Sequence, residues 1–199
     1  IHTGHFKLDG GAMFGMVPKS IWNKLNPADE NNMCTWAMRC LLLEIENKLV
    51  LIDTGIGNKQ NDKFFSYYYV HGNDTLEKSI NNLGFGTDEV TDVILTHLHF
   101  DHCGGAVIRK NDRTLKPTFK NAVYWSHEKH WNWAINPNDR EKASFLSENI
   151  LPIQQNGQLK FLKSDTKIFN GFKYILSDGH TESMIIPLIP YKNTTIAYM

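Results

Sequence analysis

The stretch Thr96-His97-Leu98-His99-Phe100-Asp101-His102-Cys103-Gly104-Gly105 carries three histidines and one aspartate within six positions. The run before it, Asp92-Val93-Ile94-Leu95, is short, apolar and β-branched, which predicts a buried strand. In an extended chain His97 and His99 point to the same side, because side chains alternate. The chain must then turn so that Asp101 and His102 face a second point nearby, and Gly-Gly lets the backbone pass close to a bound ion.

These side chains have the chemistry of a metal site. Imidazole and carboxylate groups suit Zn, Fe, Mn or Co. Four of them at the end of a buried strand are costly unless a metal or strong hydrogen bonds satisfy them. The alternative is a cluster of solvated or hydrogen-bonded histidines, an interpretation that would suit a single histidine better than H-x-H-x-D-H.

The motif T-H-x-H-x-D-H-x-G-G resembles the signature of the metallo-β-lactamase superfamily. The resemblance implies an α+β fold, an αββα sandwich with a two-metal site at one edge of the paired sheets. A second cluster, Ser177-Asp178-Gly179-His180-Thr181, matches the G-H-T step of that family. The family often continues Pro-Gly-His, whereas this chain has Glu182-Ser183-Met184, so the local turn differs.

The same resemblance implies a ligand set for two divalent metal ions. Zinc is the expected metal, with Fe, Mn or Co as alternatives. The first ion would take His97, His99 and His180, and the second would take Asp101 and His102. A hydroxide held between the ions would be the nucleophile, and Asp101 is the predicted catalytic residue that orients it and carries its proton. Asp53, in the Asp-Thr-Gly step, is expected to support the ligands from beneath rather than to bind metal.

Compared with the family that it resembles, this chain is expected to be incomplete at its C-terminus. Its last residues, from Thr194 to Met199, look like a strand that stops part-way, and the family's bridging aspartate and last histidine are expected beyond Met199. We therefore predict a single domain over residues 1–199. Residues 1–36 would form an irregular N-terminal flap or pocket segment, and residues 37–199 would form a sandwich core without its final strands and helices.

The composition and charge of the chain indicate which classes of binding partner to expect. The chain has 199 residues, 41% hydrophobic and 21% charged, with a formal net charge of zero, so nothing indicates a nucleic-acid partner. No apolar run is long enough for a membrane span, and a small-molecule substrate is expected, while the oligomeric state is left open. Three cysteines without a C-x-x-C spacing favour a reducing compartment, the cytoplasm. A secreted or periplasmic protein stays open because the chain starts at Ile1 without Met.

Periodicity and turn residues predict the remaining elements. Asp74 or Asn73 would cap a helix up to Leu83, Ser126 would cap a helix up to Ala134, and Arg109 to Lys120 would be a solvated loop. The other predicted elements are strands over 37–46, 48–53, 121–125, 159–162, 166–169 and 172–176, with Asn170-Gly171 as a hairpin turn, and a helix over 141–150 broken by Pro152.

Three features of the sequence each allow two interpretations. The aromatic residues between Phe64 and Tyr69 fit neither helix nor strand periodicity, and they either pack under a loop or line a substrate pocket. Cys103 is either a buried packing residue, which we favour, or a thiol near the metals. His127 and His130, three positions apart on a predicted helix, could bind metal, but packing or surface roles are favoured.

The predicted function is hydrolysis of a lactone, ester or phosphoester by a dinuclear metal site. Oxygen-reducing di-iron members carry Glu at the second ligand position, whereas this chain has His99. The long leading segment resembles the lactonase-like and organophosphate-hydrolase-like branch. A thioesterase of the glyoxalase II type is one alternative, and a non-catalytic metal-binding scaffold or sensor is another.

Overall fold

A computed structural model describes residues 1–199 as twelve strands and seven helices. The strands are β1 His2–Asp9, β2 Met33–Arg39, β3 Leu41–Ile45, β4 Lys48–Ile52, β5 Asp92–Ile94, β6 Val107–Arg109, β7 Leu115–Pro117, β8 Val123–Ser126, β9 Leu159–Phe161, β10 Lys173–Ser177, β11 Met184–Tyr191 and β12 Thr194–Ala197. The helices are α1 Gly10–Phe14, α2 Lys19–Trp22, α3 Asp62–Tyr68, α4 Leu76–Asn81, α5 Phe100–Cys103, α6 Glu128–Ile135 and α7 Ser147–Gln155.

Two main sheets organise these elements. The larger has five strands in the order β3-β4-β5-β8-β9, in which β3 is antiparallel to β4 and the others are parallel. The smaller has the antiparallel order β10-β11-β12. Two further two-stranded sheets, β1-β2 and β6-β7, lie outside them. Because β4, β5 and β8 run in parallel, the loops that follow them emerge at one edge of the sheet.

The core has a separate cluster on each face of the five-stranded sheet. Alternate side chains of β4 and β5 point to opposite faces. One face packs on the helices, and this cluster includes Leu51, Val93, Ile80, Trp131 and Ile153. The other face packs on the three-stranded sheet, and its cluster includes Val50, Ile52, Ile94, Ile185 and Ile189. The layers within residues 1–199 are thus helix, sheet and sheet, and the predicted α+β sandwich is confirmed.

The N-terminal segment is more regular than predicted. Residues 1–36 were expected to be irregular, but β1 pairs antiparallel with β2, with Phe6 opposite Trp36 and Lys7 opposite Thr35. The strand predicted over 37–46 is divided at Cys40, where the chain leaves this pair and enters the five-stranded sheet. The two strands are half-buried and lie far apart in sequence, so their alternation is weak and no short turn marks them.

Several other predicted boundaries are wrong. The aromatic segment forms α3. The loop predicted from Arg109 to Lys120 contains β7, which pairs with β6 at the start of that stretch. Ser126 belongs to β8, while His127 occupies the position before α6. The second helix in that region is α7, at Ser147–Gln155, rather than a helix over 141–150. Pro152 lies inside this helix, and the helix tolerates it because burial of Ile150 and Ile153 in the core stabilises the helical segment. No strand forms over 166–169, so Asn170-Gly171 does not connect a hairpin.

Other predictions are confirmed. The strand before the histidine motif is β5, and all three of its residues are buried. The helix predicted to end near Leu83 is α4, although Thr75 caps it, since its hydroxyl accepts a hydrogen bond from the Lys78 N–H at 3.2 Å. The strand at the end of the chain is β12. None of the helices combines the length and the apolar character that crossing a membrane requires.

Candidate metal centre

Three histidines converge at the edge where the parallel strands end. One ring nitrogen from each of His97, His99 and His180 lies within 4.8 Å of the other two. The Nε2 atoms of His97 and His180 are 3.2 Å apart, although 83 positions separate these residues. Ligand nitrogens about 2.0–2.1 Å from a tetrahedral zinc ion are roughly 3.4 Å apart. The spacing therefore fits three imidazoles around one ion.

The protonation of these rings also fits a metal. Burial lowers the pKa of His99 to about 3, and it lowers the pKa of His97 well below the ordinary range, with the neighbouring His102 as the next cause. The pKa of His180 falls for the same two reasons. Neutral imidazole is the form that binds metal. In addition, the Nε2 atom of His99 is buried and has no hydrogen-bond partner, which a metal would satisfy.

The local chain explains how His97 and His99 come to share a face. Leu98 lies between them and points into the core with no exposed area, so its neighbours point the other way. The chain then turns into α5, a single helical turn that carries Asp101 and His102. Gly104 follows this turn, and a Cβ atom there would lie 2.1 Å from the carbonyl oxygen of Ile56. Only glycine fits this close approach of two backbones.

His102 belongs to a second, charged group beside the three histidines. Its ring centroid is 4.0 Å from that of His97. Its Nδ1 atom is 2.8 Å from Asp53 Oδ2, and its Nε2 atom is 3.6 Å from Asp101 Oδ2. Burial alone would lower the pKa of His102, but the charge and hydrogen bond of Asp53, together with Asp101, raise it to about 9. Asp101 and His102 could hold a second ion next to the first, and the ion would have to displace the proton of the His102 ring, because neutral imidazole is the form that binds metal.

Asp53 lies directly beneath the cluster, as its position after β4 suggests. Its Oδ1 atom accepts hydrogen bonds from the Thr96 N–H at 2.9 Å and from the Thr96 hydroxyl at 3.0 Å. Its Oδ2 atom accepts from His102. The carboxylate therefore joins the start of the histidine motif to its end. The backbone of Asp53 has a φ of 58°, and these hydrogen bonds hold a conformation that is uncommon for a residue with a side chain.

His130 is the residue whose contact with the site the sequence did not reveal. It is completely buried, and its Nε2 atom accepts a hydrogen bond from the Leu98 N–H at 2.9 Å. Its Nδ1 atom donates to the carbonyl oxygen of Glu182 at 2.6 Å. Burial lowers the pKa of His130 to about 4, which matches a neutral ring that accepts at one nitrogen and donates at the other. His127 makes no contact of this kind.

Glu141 is a second residue whose place at the site the sequence does not reveal, because its position in the chain predicts only the start of a helix. Its Oε1 atom is 4.0 Å from the Nε2 atom of His99. Its other oxygen accepts a hydrogen bond from the Trp133 indole at 2.8 Å, which fixes its direction. A carboxylate next to histidines is visible only once the fold is known, since 42 positions separate these two residues.

The aromatic residues of α3 lie against the same region. The ring of Tyr68 is 4.5 Å from that of Phe100, and the ring of Phe64 is 5.4 Å from it. Burial raises the pKa of Tyr68, and the negative charge of Asp101 raises it further. Both interpretations of this segment are therefore compatible with its place. Cys103 is fully buried, and its thiol donates to the carbonyl oxygen of Leu98 at 3.2 Å, as a packing residue would.

Comparison with known proteins gives concordant matches. The model of the metallo-beta-lactamase superfamily matches residues 39–188. An N-acyl homoserine lactonase of Bacillus thuringiensis is 24% identical over 172 residues, which are 81% of this chain and 60% of that protein. A lactonase of the same name from Bacillus cereus is also 24% identical, over 174 residues. The chain thus spans 60% of the length of these curated relatives.

Solved structures agree with the fold. A probable metal-dependent hydrolase from Staphylococcus aureus superposes with a TM-score of 0.88 at 28% identity, over 98% of this chain and 68% of that one. AidC, a dizinc quorum-quenching lactonase in complex with a product, gives a TM-score of 0.75 at 22% identity, over 99% and 68%. The hydrolase AbOPH gives 0.75 at 21%, over 100% and 68%. The last two likenesses concern the fold alone.

Proposed function

The chain belongs to the metallo-beta-lactamase superfamily, and from this premise we propose that it is a metal-dependent hydrolase of a lactone, ester or phosphoester. The observation that carries the proposal is the convergence of His97, His99 and His180 from two distant segments. Three neutral imidazoles leave one position of a tetrahedral ion open, as catalytic zinc sites do. A structural zinc site would use a fourth protein ligand in that position.

We assign the first of two divalent ions, preferably zinc, to these three histidines and the second to Asp101 and His102. A divalent ion, when bound, lowers the pKa of a water to about 7 and polarises the carbonyl or phosphoryl oxygen of the substrate. Asp53 keeps the ring of His102 oriented through the 2.8 Å contact at Nδ1, so that Nε2 faces the site.

Asp101 is the proposed catalytic residue. Its carboxylate is partly buried, and its Oδ2 atom lies 3.6 Å from His102 Nε2, on the side of the cluster where the second ion would bind. We propose that this carboxylate accepts the proton of the attacking water and returns it to the leaving oxygen. Such a cycle needs no covalent enzyme intermediate, because the water attacks the substrate directly.

The aromatic group beside Asp101 supports an organic substrate. Phe64 and Tyr68 are partly exposed and pack on the buried Phe100, so their rings could offer flat apolar surface to an acyl or aryl group. A tyrosine hydroxyl is protonated at neutral pH, and burial raises the pKa of Tyr68 further, so this hydroxyl could donate a hydrogen bond to a developing oxyanion. We favour a lactone, since the curated relatives are N-acyl homoserine lactonases.

Metal analysis combined with a hydrolysis screen tests the proposal. The purified protein should bind zinc and hydrolyse at least one compound among lactones, aryl esters, phosphoesters, thioesters and β-lactams. His180→Ala should lose metal and reduce hydrolysis by more than the roughly 100-fold that loss of an outer hydrogen-bond partner costs. His71→Ala is the control, because His71 is exposed and lies outside the cluster. A fully loaded protein that hydrolyses none of these compounds would instead support a metal-binding scaffold.

A further inference from the structure

We propose that His130 is a positioning residue that clamps the two ligand-bearing segments together and so sets the spacing of the three histidines. The inference rests on the proposed metal centre. It concerns a side chain that neither binds metal nor touches substrate in that proposal. It assigns a role to a buried histidine that comes from α6, a helix that contributes no ligand.

The clamp consists of two hydrogen bonds made by one ring. On one side the ring accepts from the N–H of Leu98, the residue between His97 and His99, at 2.9 Å. On the other side it donates to the carbonyl oxygen of Glu182, two positions after His180, at 2.6 Å. These partners are 32 and 52 positions away along the chain. One rigid, planar group therefore links the two loops from which all three histidines come.

The ring itself is well placed for this role. Its neighbours on α6, Trp131 and Ala134, are buried in the main core cluster. The ring of Phe145 lies 5.9 Å away, and the ring of His97 lies 6.4 Å away. The clamp is therefore anchored on the largest core cluster, and it can transmit the rigidity of that core to loops at the edge of the sheet.

A second backbone link lies on the other side of the cluster. The N–H of Ile185 donates to the carbonyl oxygen of Thr96 at 2.8 Å. Without His130 the two segments would keep this link and the core packing of Ile94 with Ile185, but the Leu98 N–H and the Glu182 carbonyl would lose their partners. The three ring nitrogens would then sample a wider range of distances, and zinc would bind more weakly.

Three variants test the clamp. His130→Leu removes both hydrogen bonds, whereas His130→Gln keeps a terminal acceptor and donor of similar reach. Ala134→Gly, on the same helix and equally buried, lowers stability without touching either loop. The readouts are the zinc dissociation constant from chelator competition, the absorption spectrum of the Co²⁺ form, and hydrogen exchange of the Leu98 amide in the metal-free protein.

We expect His130→Leu to raise the zinc dissociation constant about 10- to 100-fold, to change the Co²⁺ spectrum and to accelerate exchange at Leu98. His130→Gln should recover most of each effect, and Ala134→Gly should leave the dissociation constant within about threefold. Unchanged zinc affinity and Leu98 exchange in His130→Leu would overturn the inference, as would equal weakening by Ala134→Gly. If His130→Leu does not fold, His130→Gln must show smaller changes in the same direction.

These readouts are separate from the proposed hydrolysis. A protein that binds zinc but hydrolyses nothing would refute the proposed function and still report on the clamp through affinity and spectrum. A protein that binds no zinc would refute the metal centre, and with it the role of His130 in ligand spacing. The exchange rate at Leu98 would then report only whether the hydrogen bond exists.

Discussion

The loop of residues 95–106 and the N-terminal pair of strands, β1 and β2, are held in place in opposite ways. From Leu95 to Leu98 no residue exposes more than 2% of its surface, and Gly104 and Gly105 pack directly on the backbone of the loop after β4. In β1 and β2 most residues are half-buried or exposed, and the two strands are held by their antiparallel pairing. Trp36 of β2 also packs on Phe14 at the end of α1. The segment that carries the chemistry is thus the less tolerant one.

This difference indicates how well each region tolerates amino-acid substitutions. A loop packed backbone against backbone has no flexible atoms that can move aside, so a small change must displace the ligands or unfold the sheet edge. A half-buried pair of strands can adjust by rotating side chains into solvent. Substitutions in the two regions should therefore differ in cost, and three measurements test that expectation.

The largest effect is expected from Gly104→Ala. Gly104 has an ordinary helical backbone conformation, so the cost is purely steric: the new Cβ atom would meet the Ile56 carbonyl oxygen at 2.1 Å. We expect a loss of about 3 kcal/mol or more in the free energy of unfolding, measured by urea denaturation. Gly86→Ala is the matched control, because its nearest neighbour is a side-chain oxygen at 3.5 Å. Equal costs at the two positions would contradict the contrast between the regions.

A slightly smaller effect should appear as a pH dependence at Lys59. Its ammonium group donates to the Gly104 carbonyl from a site only 5% exposed, and burial lowers its pKa from 10.5 to about 8. The folded state thus disfavours the charged form. Stability should rise as pH increases from about 8 towards 10.5, because the unfolded chain binds more protons in that window. The full span is on the order of 3 kcal/mol.

Lys59→Met isolates this contribution from other groups that titrate at alkaline pH. The difference in unfolding free energy between the two proteins should be constant below pH 8. Above pH 8 it should shift in favour of the lysine protein. Parallel stability curves from pH 7 to pH 10 would show that the buried ammonium group carries no such cost.

The smallest effect is expected in the N-terminal region. The ring of Phe14 stacks on Trp22 at 4.8 Å and lies 5.4 Å from Trp36. Phe14→Ala should cost about 1–2 kcal/mol, from the lost aromatic contacts and partial burial, and should leave zinc affinity unchanged. Met16→Ala, at a side chain 99% exposed, should change neither quantity. A weaker zinc site in Phe14→Ala would show that this region supports the metal centre after all.

The same contrast explains which parts of the molecule could be predicted. The strand before His97 was readable because burial on both faces demands an unbroken apolar run, and the histidine motif because its residue types are costly without a ligand. These features are local, so a few adjacent residues contain the whole signal. Asp53 was predicted to support the ligands only through the resemblance to the family, because a strand end by itself also fits a turn residue.

The errors arise where distant residues decide the structure. The pairing of β1 with β2 depends on partners about thirty positions apart, and α7 tolerates Pro152 because its apolar face packs on the core. The contacts of His130 and Glu141 with the site require the complete arrangement of helices and loops. No periodicity within either segment encodes them.

The division of the three histidines between two sheets has a thermodynamic consequence. His97 and His99 follow β5 of the large sheet, whereas His180 precedes β11 of the small one. An ion held by all three would tie the sheets to each other, and its binding energy would be available only when both are folded and docked. The melting temperature should then climb with free zinc concentration, and the two sheets should melt in a single step when the ion is present.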